Sequence, residues 1–329
     1  MQRTNARNAA TAVLLAGALV VGALPASAQP YPAKPIKLVV PFAPGGPIDF
    51  LGRLVGQKIT EQTGASVVVE NRGGAGGTVG LDYAAKQAAD GYTLAMGGTS
   101  NIAVAPSLYA KLPYDSLRDF TPIVNVAHVP YALAVNPTVP AKTVRELVTV
   151  AGRKAGMLSY GSSGTGSMSS LAAELFKSMS KTDIVHVPYK GTAPALTDVV
   201  AGQIDLMFAD LAVIEPHAQN GKLRSIAVTG AKRAASQPSL PTIAEGGLAG
   251  YDISPWFGLV GPAQLPRDIV TRLNGVGVTA LKSNDILQRL RTVGYEPIGG
   301  TPDQFTATIK GDLARYAKII RAAGIKADL

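Results

Sequence analysis

The chain has 329 residues, no cysteine, 31 basic and 22 acidic side chains, and a formal net charge of +9. Without cysteine it has no thiol nucleophile, no thiolate metal ligand and no disulfide. Its three histidines include no pair at ligand spacing, so we expect no metal site. Lysine and arginine are spread along the chain, with neither a dense basic tract nor interleaved aromatic residues, which disfavours a nucleic-acid partner.

The first residues predict export. Two arginines precede an apolar stretch at residues 11–24 that is short for a membrane span, and Ala26 and Ala28 provide the small residues of a signal-peptidase site. We expect a signal peptide over residues 1–28, cleaved before Gln29, and a periplasmic protein. The alternative, an uncleaved membrane anchor, requires a longer apolar segment without such a site.

Strand-like and helix-like stretches alternate along most of the remaining chain. The hydrophobic pattern predicts strands at residues 36–42, 66–70, 92–96, 157–161, 184–189 and 204–210. Apolar residues at helical spacing predict helices at residues 48–62, 79–89, 170–179 and 193–202. This alternation is typical of parallel sheets covered by helices, whose ligands bind at the carboxyl ends of the strands.

Two longer extended runs divide the chain into two lobes. They lie at residues 123–135 and 251–262, and each is a candidate crossing between lobes. We expect a discontinuous first lobe of residues 29–128 and 252–329, with an inserted second lobe of residues 129–251. After the second run we expect only helices, and we expect its tryptophan to pack at the crossing.

The stretch VVPFAPGGPID ends the first predicted strand and opens the first predicted helix. Gly45 and Gly46 let backbone N–H groups approach a ligand without a Cβ in the way, and a helix N-terminus attracts anions. Pro47 suits the first helical position, and Asp49 can accept free N–H groups in the first helical turn. The same residues fit a simple connection equally well, so this turn alone does not establish a site.

A second turn of this kind, YGSSGTGSMSS at residues 160–170, also follows a strand and opens a helix. Hydroxyl groups come from Ser162, Ser163, Thr165 and Ser167, and Ser167 suits the helix N-cap. A Ser/Gly-rich linker has the same composition, but linkers do not ordinarily separate a strand from an amphipathic helix. Two such turns, one in each predicted lobe, predict a ligand held between the lobes.

Further candidate positions follow other strands. Lys190 and Gly191 come after the strand at residues 184–189 and are candidates for the cleft, although Lys190 also fits a solvated surface. Asp210 ends the strand at residues 204–210, where its carboxylate would face the cleft. An acid at a strand end does not by itself predict acid–base catalysis.

Enzyme motifs are incomplete. The glycines of NRGGAGGTVG (residues 71–80) are spaced G-x-G-x-x-x-G rather than G-x-G-x-x-G, which disfavours a dinucleotide site, and no phosphate-loop motif occurs. Ser163 lacks the final glycine of G-x-S-x-G. A Ser–His–acid triad stays open, because its members need not be adjacent in sequence, although His186 fits a strand residue whose ring is already hydrogen-bonded.

The chain resembles the Bug-type periplasmic solute-binding proteins of tripartite tricarboxylate transporters over nearly all of its length after the signal peptide. The shared stretches include PFAPGGPID, VVENRGGAGGTVG, HVPYKGTAPALTDVVAGQIDLMF and GKLRSIAVTG, in the same order. The resemblance implies a type II periplasmic binding protein: two α/β lobes, a ligand cleft between them and two crossing strands as the hinge. It also implies a binding protein rather than an enzyme.

The resemblance places the ligand at the two turns. In the family the first loop, P-F-x-P-G-G-x-x-D, and a second loop rich in Ser, Gly and Thr hold a carboxylate, partly through water. One departure is Ser170, where the family often has a histidine. With the positions found from the strand ends, the expected ligand-binding residues are Phe42, Ala43, Pro44, Gly45, Gly46, Asp49, Ser162, Ser163, Gly164, Thr165, Gly166, Ser167, Lys190, Gly191 and Asp210.

We therefore expect a monomeric periplasmic protein, without a cofactor, that captures a small carboxylate between its lobes. Its expected partners are the membrane subunits of a tripartite tricarboxylate-type transporter, to which it delivers that solute. Two alternatives remain: an exported serine hydrolase that uses the turn at residues 162–167, and a ligand sensor for a membrane signalling partner.

Overall fold

The computed structural model describes residues 31–153 and 155–325, so the expected signal peptide and its cleavage point lie outside the described residues. The described residues fall into two units, which divide between Ala33 and Lys34. The described part of the first unit is residues 31–33, where the Tyr31–Pro32 peptide bond is cis. No helix in the described ranges is long and apolar enough to cross a membrane.

Strands and helices alternate much as the sequence predicts. The strands are β1 (Ile36–Val40), β2 (Val67–Asn71), β3 (Thr93–Gly98), β4 (Phe120–His128), β5 (Tyr131–Val135), β6 (Leu158–Ser162), β7 (Ile184–Pro188), β8 (Leu206–Asp210), β9 (Arg224–Val228), β10 (Trp256–Pro262) and β11 (Glu296–Gly299). The helices are α1 (Pro47–Thr63), α2 (Thr78–Ala85), α3 (Ala105–Leu108), α4 (Val144–Arg153), α5 (Met168–Ser180), α6 (Thr192–Val200), α7 (Leu211–Gln219), α8 (Arg267–Lys282), α9 (Asn284–Thr292) and α10 (Pro302–Ala323). A 3-10 turn covers Ala75–Gly77 and a π-helical turn covers Thr99–Val104.

The first strand and helix illustrate how the sequence builds this fold. Val39 and Val40 of β1 point to opposite faces and are both completely buried, as expected for a strand that is covered on both faces. Helix α1 buries one face through residues such as Leu51 and Ile59, and Gly64 ends it in the left-handed conformation. The turn between β1 and α1 is therefore held between two well-packed elements.

The two sheets repeat one strand order. The six-stranded sheet runs β11-β4-β10-β3-β1-β2 and the five-stranded sheet runs β7-β6-β8-β5-β9. In each sheet, three parallel strands start from one edge (β2, β1, β3 or β7, β6, β8). The next strand, β10 or β5, has just crossed from the other sheet and lies antiparallel to them. We call the six-stranded sheet with its helices the first lobe, and the five-stranded sheet with its helices the second lobe.

Two expectations about the sheets are wrong. The sheets are mixed rather than wholly parallel, because β10 and β5 are antiparallel to their neighbours. The chain after the second crossing is not purely helical either, since β11 pairs with β4 and sets Glu296 opposite His128. β11 is a short edge strand in which Pro297 and Ile298 are exposed, so it lacks the buried apolar run that identified the other strands.

Both expected crossings are present. β4 of the first lobe leads directly into β5 of the second, and the chain returns through residues 251–255 to β10. The backbone N–H of Ile253 donates to Thr229 O at 2.8 Å, and that of Val129 donates to Pro255 O at 2.9 Å. The two crossing segments therefore lie side by side. The lobe limits after residues 128 and 251 stay a prediction.

Trp256 packs at the second crossing, as expected. Its Nε1 donates to Asp312 Oδ2 at 2.7 Å, and its ring meets Phe305 edge-on with centroids 5.1 Å apart. The backbone N–H of Trp256 donates to Thr99 Oγ1 at 2.9 Å. The tryptophan thus anchors the returning chain in the first lobe.

Candidate functional site

The turns at the carboxyl ends of the parallel strands in the two lobes face one another. A Cβ built on Gly166, in the turn after β6, would lie 2.7 Å from Tyr109 Oη and 2.9 Å from Leu108 Cδ2 of the first lobe. A Cβ built on Gly76, in the 3-10 turn, would lie 3.8 Å from Gly166 O. We call the space between these facing turns the cleft.

The turn between β1 and α1 is braced by Asp49. Its carboxylate accepts hydrogen bonds from Gly45 N at 3.1 Å, Arg53 Nε at 3.0 Å and Asn71 Nδ2 at 2.9 Å, and the same Asn71 nitrogen donates to Phe42 O at 3.0 Å. Burial raises the pKa of Asp49, but these hydrogen bonds outweigh it and hold the pKa below its ordinary value. Asp49 is thus an ionised group that shapes the turn.

The backbone of this first turn is open on its other side. A Cβ built on Gly45 or Gly46 would meet no atom within 4 Å, and Ala43, Pro44 and Gly45 are exposed. Gly45 has φ +91°, which favours glycine. Gly46 caps α1 without a side-chain acceptor, so the first N–H groups of the helix lack a side-chain cap. Such a helix start suits an anion.

The glycine-rich stretch at residues 71–80 supports the first turn. A Cβ on Gly80 would lie 2.7 Å from Arg72 O and 2.8 Å from Pro41 Cα, and a Cβ on Gly73 would lie 3.5 Å from Ala43 N. Each glycine therefore permits close packing of this stretch against the first turn. Close packing therefore explains why glycines occur at these positions, and no dinucleotide-binding role is needed to explain them.

The turn between β6 and α5 is held by a network of hydroxyl groups. Ser169 Oγ accepts a hydrogen bond from Ser163 N at 2.9 Å and shares hydrogen bonds with Ser163 Oγ at 3.0 Å and Ser167 Oγ at 2.8 Å. Ser167 caps α5 by accepting from Ser170 N at 3.3 Å, and Ser170 Oγ donates to Ser167 O at 2.9 Å. Ser169, which the sequence analysis missed, is the centre of this network.

Ser162 and His186 form a hydrogen-bonded pair at 2.7 Å, Ser162 Oγ to His186 Nε2. Ser162 is only 1% exposed, and the His186 ring stacks on Tyr160 with centroids 4.6 Å apart. Burial lowers the pKa of His186. In the part of the chain that the structure describes, no carboxylate is hydrogen-bonded to His186, and Glu174 instead accepts from Tyr160 Oη at 2.6 Å. The pair joins β6 to β7 and buries the serine hydroxyl, and ligand contact by Ser162 stays a prediction.

Lys190 and Gly191 lie beside the second turn. The backbone N–H of Tyr189 donates to Ser162 O at 3.0 Å, and a Cβ on Gly164 would lie 3.2 Å from Tyr189 O. Lys190 is exposed, and a Cβ on Gly191 would meet no atom within 4 Å. Both residues thus border open space next to the turn that holds Thr165.

Asp210 ends β8 and is almost completely buried. Its Oδ1 accepts from Ala212 N at 2.9 Å, which caps α7. Its Oδ2 accepts a short hydrogen bond from Tyr295 Oη of the first lobe. Burial raises the pKa of Asp210 to about 7, although both hydrogen bonds lower it. In this conformation the carboxylate binds the opposite lobe, and ligand contact by Asp210 stays a prediction.

Sequence reasoning missed two contributors from the first lobe, Tyr295 and Asn101. Asn101 lies in the π-helical turn after β3, is completely buried, and its Oδ1 accepts from Gly98 N at 2.8 Å. A Cβ on Gly77 would lie 2.6 Å from Asn101 Nδ2 and 2.9 Å from the Phe42 ring. The polar stretch GGTSN directly after the third predicted strand was the available signal for Asn101; Tyr295 had none.

Comparisons with known proteins agree with this architecture. The sequence model described as the tripartite tricarboxylate transporter family receptor matches residues 51–325. The protein BugT of Bordetella pertussis is 35% identical over 297 residues, which cover 90% of this chain and 91% of BugT.

Solved structures show the same fold. The structure of R. palustris Rpa4515 with adipate has 39% sequence identity and a TM-score of 0.85, covering 91% of this chain and 100% of that one. MatC (Rpa3494) from Rhodopseudomonas palustris with bound malate has 30% identity and a TM-score of 0.82, covering 88% of this chain and 100% of that one. The expected periplasmic binding protein fold with two α/β lobes is confirmed.

Receptors of this family bind solutes and are not enzymes, which sets aside the serine-hydrolase alternative. The expected resemblance to Bug-type proteins is likewise confirmed. With the family match and the similarity to BugT both extending over most of the chain, this protein belongs to the tripartite tricarboxylate transporter receptor family.

Proposed function

We propose that this protein captures a small carboxylate-bearing solute in the cleft and delivers it to the membrane subunits of a tripartite tricarboxylate-type transporter. It works in the periplasm as a monomer after removal of residues 1–28. The observation that carries the proposal is the open backbone at Gly45 and Gly46, which leaves a helix start facing the cleft while Asp49 is bound to the other side of the turn.

The chemistry needs no fully charged partner. Backbone N–H groups at the start of α1 and hydroxyl groups such as Thr165 Oγ1 can donate to a carboxylate, and the helix dipole contributes roughly 0.3–1 kcal/mol. Closure of the lobes then removes the carboxylate from bulk water, which strengthens each hydrogen bond. The adipate and malate bound to the two R. palustris proteins are carboxylates of this kind.

The first test is the melting temperature of the chain from Gln29 in the presence of carboxylates, including adipate and malate, and of their amides. A ligand of the folded state stabilises by about 2.7 kcal/mol at a hundredfold excess over its Kd. We expect a rise in Tm with at least one acid and none with its amide. A panel without any rise, measured on protein shown to be free of retained ligand, would contradict carboxylate capture.

The variant Gly46→Glu tests where the carboxylate binds. Gly46 has φ −88° and ψ 174°, an extended conformation open to any residue, and its Cβ direction is free. A negative side chain there should abolish the Tm rise by repelling the ligand while leaving the unliganded Tm nearly unchanged. Gly275→Glu adds the same charge on the exposed face of α8, where a Cβ also meets no atom within 4 Å, and should bind like the natural sequence.

Delivery is tested with membrane subunits from the same organism reconstituted in vesicles. The vesicles should accumulate the radiolabelled acid identified by the Tm panel only when the binding protein is added. Equal uptake with and without the protein would favour a sensor that signals to another membrane partner.

A further inference from the structure

Asp210 and Tyr295 join the two lobes through a buried hydrogen bond. Asp210 ends β8 of the second lobe, and Tyr295 immediately precedes β11 of the first lobe. Tyr295 Oη donates to Asp210 Oδ2, and the two residues are only 7% and 3% exposed. Separation of the lobes would break this bond and bring both groups into water.

No positive charge compensates the Asp210 carboxylate in the described part of the chain. From the second lobe it faces the N–H of Ala212 at 2.9 Å and Tyr131, which lies opposite Asp210 on the neighbouring strand. From the first lobe it faces Tyr295, whose ring meets Phe50 of α1 edge-on with centroids 5.9 Å apart. The titratable groups around the carboxyl are thus two tyrosines, whose own pKa values burial also raises.

An uncompensated buried carboxyl favours its protonated form. Burial raises the pKa of Asp210 to about 7 from an ordinary value of 3.8. When protonated, the carboxyl can itself donate to the Tyr295 oxygen, so the bond between the lobes persists without a buried charge. In open lobes the same carboxyl would be hydrated and would ionise near its ordinary pKa.

We propose that Asp210 and Tyr295 form a clasp between the lobes, and that closing the cleft takes up one proton onto Asp210. The clasp adjoins the candidate site, because Tyr295 contacts Phe50 in the first turn of α1. Its part in solute capture rests on the proposed function, whereas its effect on lobe closure does not. Asp210 and Tyr295 are positioning residues in this scheme.

The sign of the pH effect follows from the two ionisation states. The closed form binds the proton more tightly, so closure is favoured at low pH and weakens as the pH rises towards 7. Between the ordinary pKa of 3.8 and the raised pKa of about 7, the closure constant should fall by up to about tenfold per pH unit. Above that range it should be constant, because no proton is taken up.

Because the chain has no cysteine, dyes can be attached at chosen positions and the pH dependence of lobe closure can be measured without a ligand. Thr197 on α6 and Gln288 on α9 are exposed and belong to different lobes, so Thr197→Cys with Gln288→Cys accepts a donor and an acceptor dye. Energy transfer should report a closed fraction that falls between pH 5 and 7 and is level from pH 7.5 to 9. A control pair within the first lobe, Gln288→Cys with Ala307→Cys, should give a constant signal.

Two clasp variants decide the proposal. Asn at position 210 keeps a cap for α7 and cannot ionise, so Asp210→Asn should remain closed at every pH. In Tyr295→Phe the carboxyl loses a hydrogen bond that lowers its pKa, so the closed fraction should shrink and its fall should extend to higher pH. If Asp210→Asn fails to fold, Tyr295→Phe alone still tests whether the clasp controls the pH dependence of lobe closure.

The proposal is overturned if the lobe distance of the natural sequence is independent of pH, or if its pH dependence is unchanged in the clasp variants. Because no ligand is present, these outcomes are separate from the carboxylate panel. A negative panel with a pH-dependent distance would refute the proposed solute class and leave the clasp. A positive carboxylate panel with a pH-independent lobe distance would support the proposed solute class and refute the clasp.

Discussion

At the scale of single residues, Asp49 shows how a buried carboxylate can shape a turn through the hydrogen bonds it accepts. Asp49→Asn replaces one acceptor oxygen with an N–H₂ group, so either the donors of Gly45 and Arg53 or that of Asn71 would face a donor. We expect a loss of about 1–3 kcal/mol in the free energy of unfolding at pH 7, measured by urea denaturation.

The pH dependence of that loss has a definite sign. The folded-state pKa of Asp49 is below its ordinary value, so its stabilisation is present above the unfolded pKa of about 4 and is lost as the pH falls through the folded value. The natural chain and Asp49→Asn should therefore converge in stability at low pH. Asp303→Asn, a change at an exposed position, should remain within about 0.5 kcal/mol of the natural chain. A constant gap for Asp49→Asn at all pH values would contradict this account.

At the scale of elements, Gly80 of α2 packs against both the stretch before α2 and the turn before α1. Its Cβ position lies under 3 Å from the backbone atoms Arg72 O and Pro41 Cα. Gly80→Ala must displace one backbone segment, and we expect a loss of about 1–3 kcal/mol in urea denaturation.

Gly152 provides the matched comparison for that change. It is exposed near the end of α4, and a Cβ there would meet no atom within 4 Å. Gly152→Ala should therefore stabilise the protein by up to about 1 kcal/mol through helix propensity. Equal effects of the two substitutions would mean that the close approach at Gly80 relaxes without cost.

The elements also show what a sequence alone can predict. The two turns could be located because their bonds are local: Gly45 binds Asp49, and Ser163 binds Ser169. The clasp could not be located from the sequence. Its tyrosine lies just before the short edge strand β11 and binds an aspartate on the other sheet. Hydrophobic periodicity identifies a strand but not its distant neighbours, which also explains the missed antiparallel pairs.

At the scale of the whole molecule, the repeated strand order gives the lobes equivalent faces. In each sheet the parallel strands deliver their carboxyl-end turns to one edge, and the antiparallel strand that crosses from the other lobe joins that edge. The two crossing segments are bonded side by side through Val129 and Pro255. A hinge of this form lets the lobes rotate while their sheets remain intact.

A disulfide across the lobes would test whether that rotation admits the solute. Ser236 of the second lobe and Gly294 of the first are close, since a Cβ on Gly294 would lie 3.2 Å from Ser236 Cβ, near the roughly 3.5–4.5 Å of a disulfide. With Ser236→Cys and Gly294→Cys oxidised before the solute is added, association should slow at least tenfold in stopped-flow measurements with an acid from the carboxylate panel. Oxidation after binding should slow its release, and reduction should restore both rates. Gly294 has φ +67°, which favours glycine, so Gly294→Cys alone should lower the Tm without slowing association, and Ser236→Cys alone should behave like the natural chain. An unchanged association rate in the cross-linked protein would show that the solute enters without lobe opening.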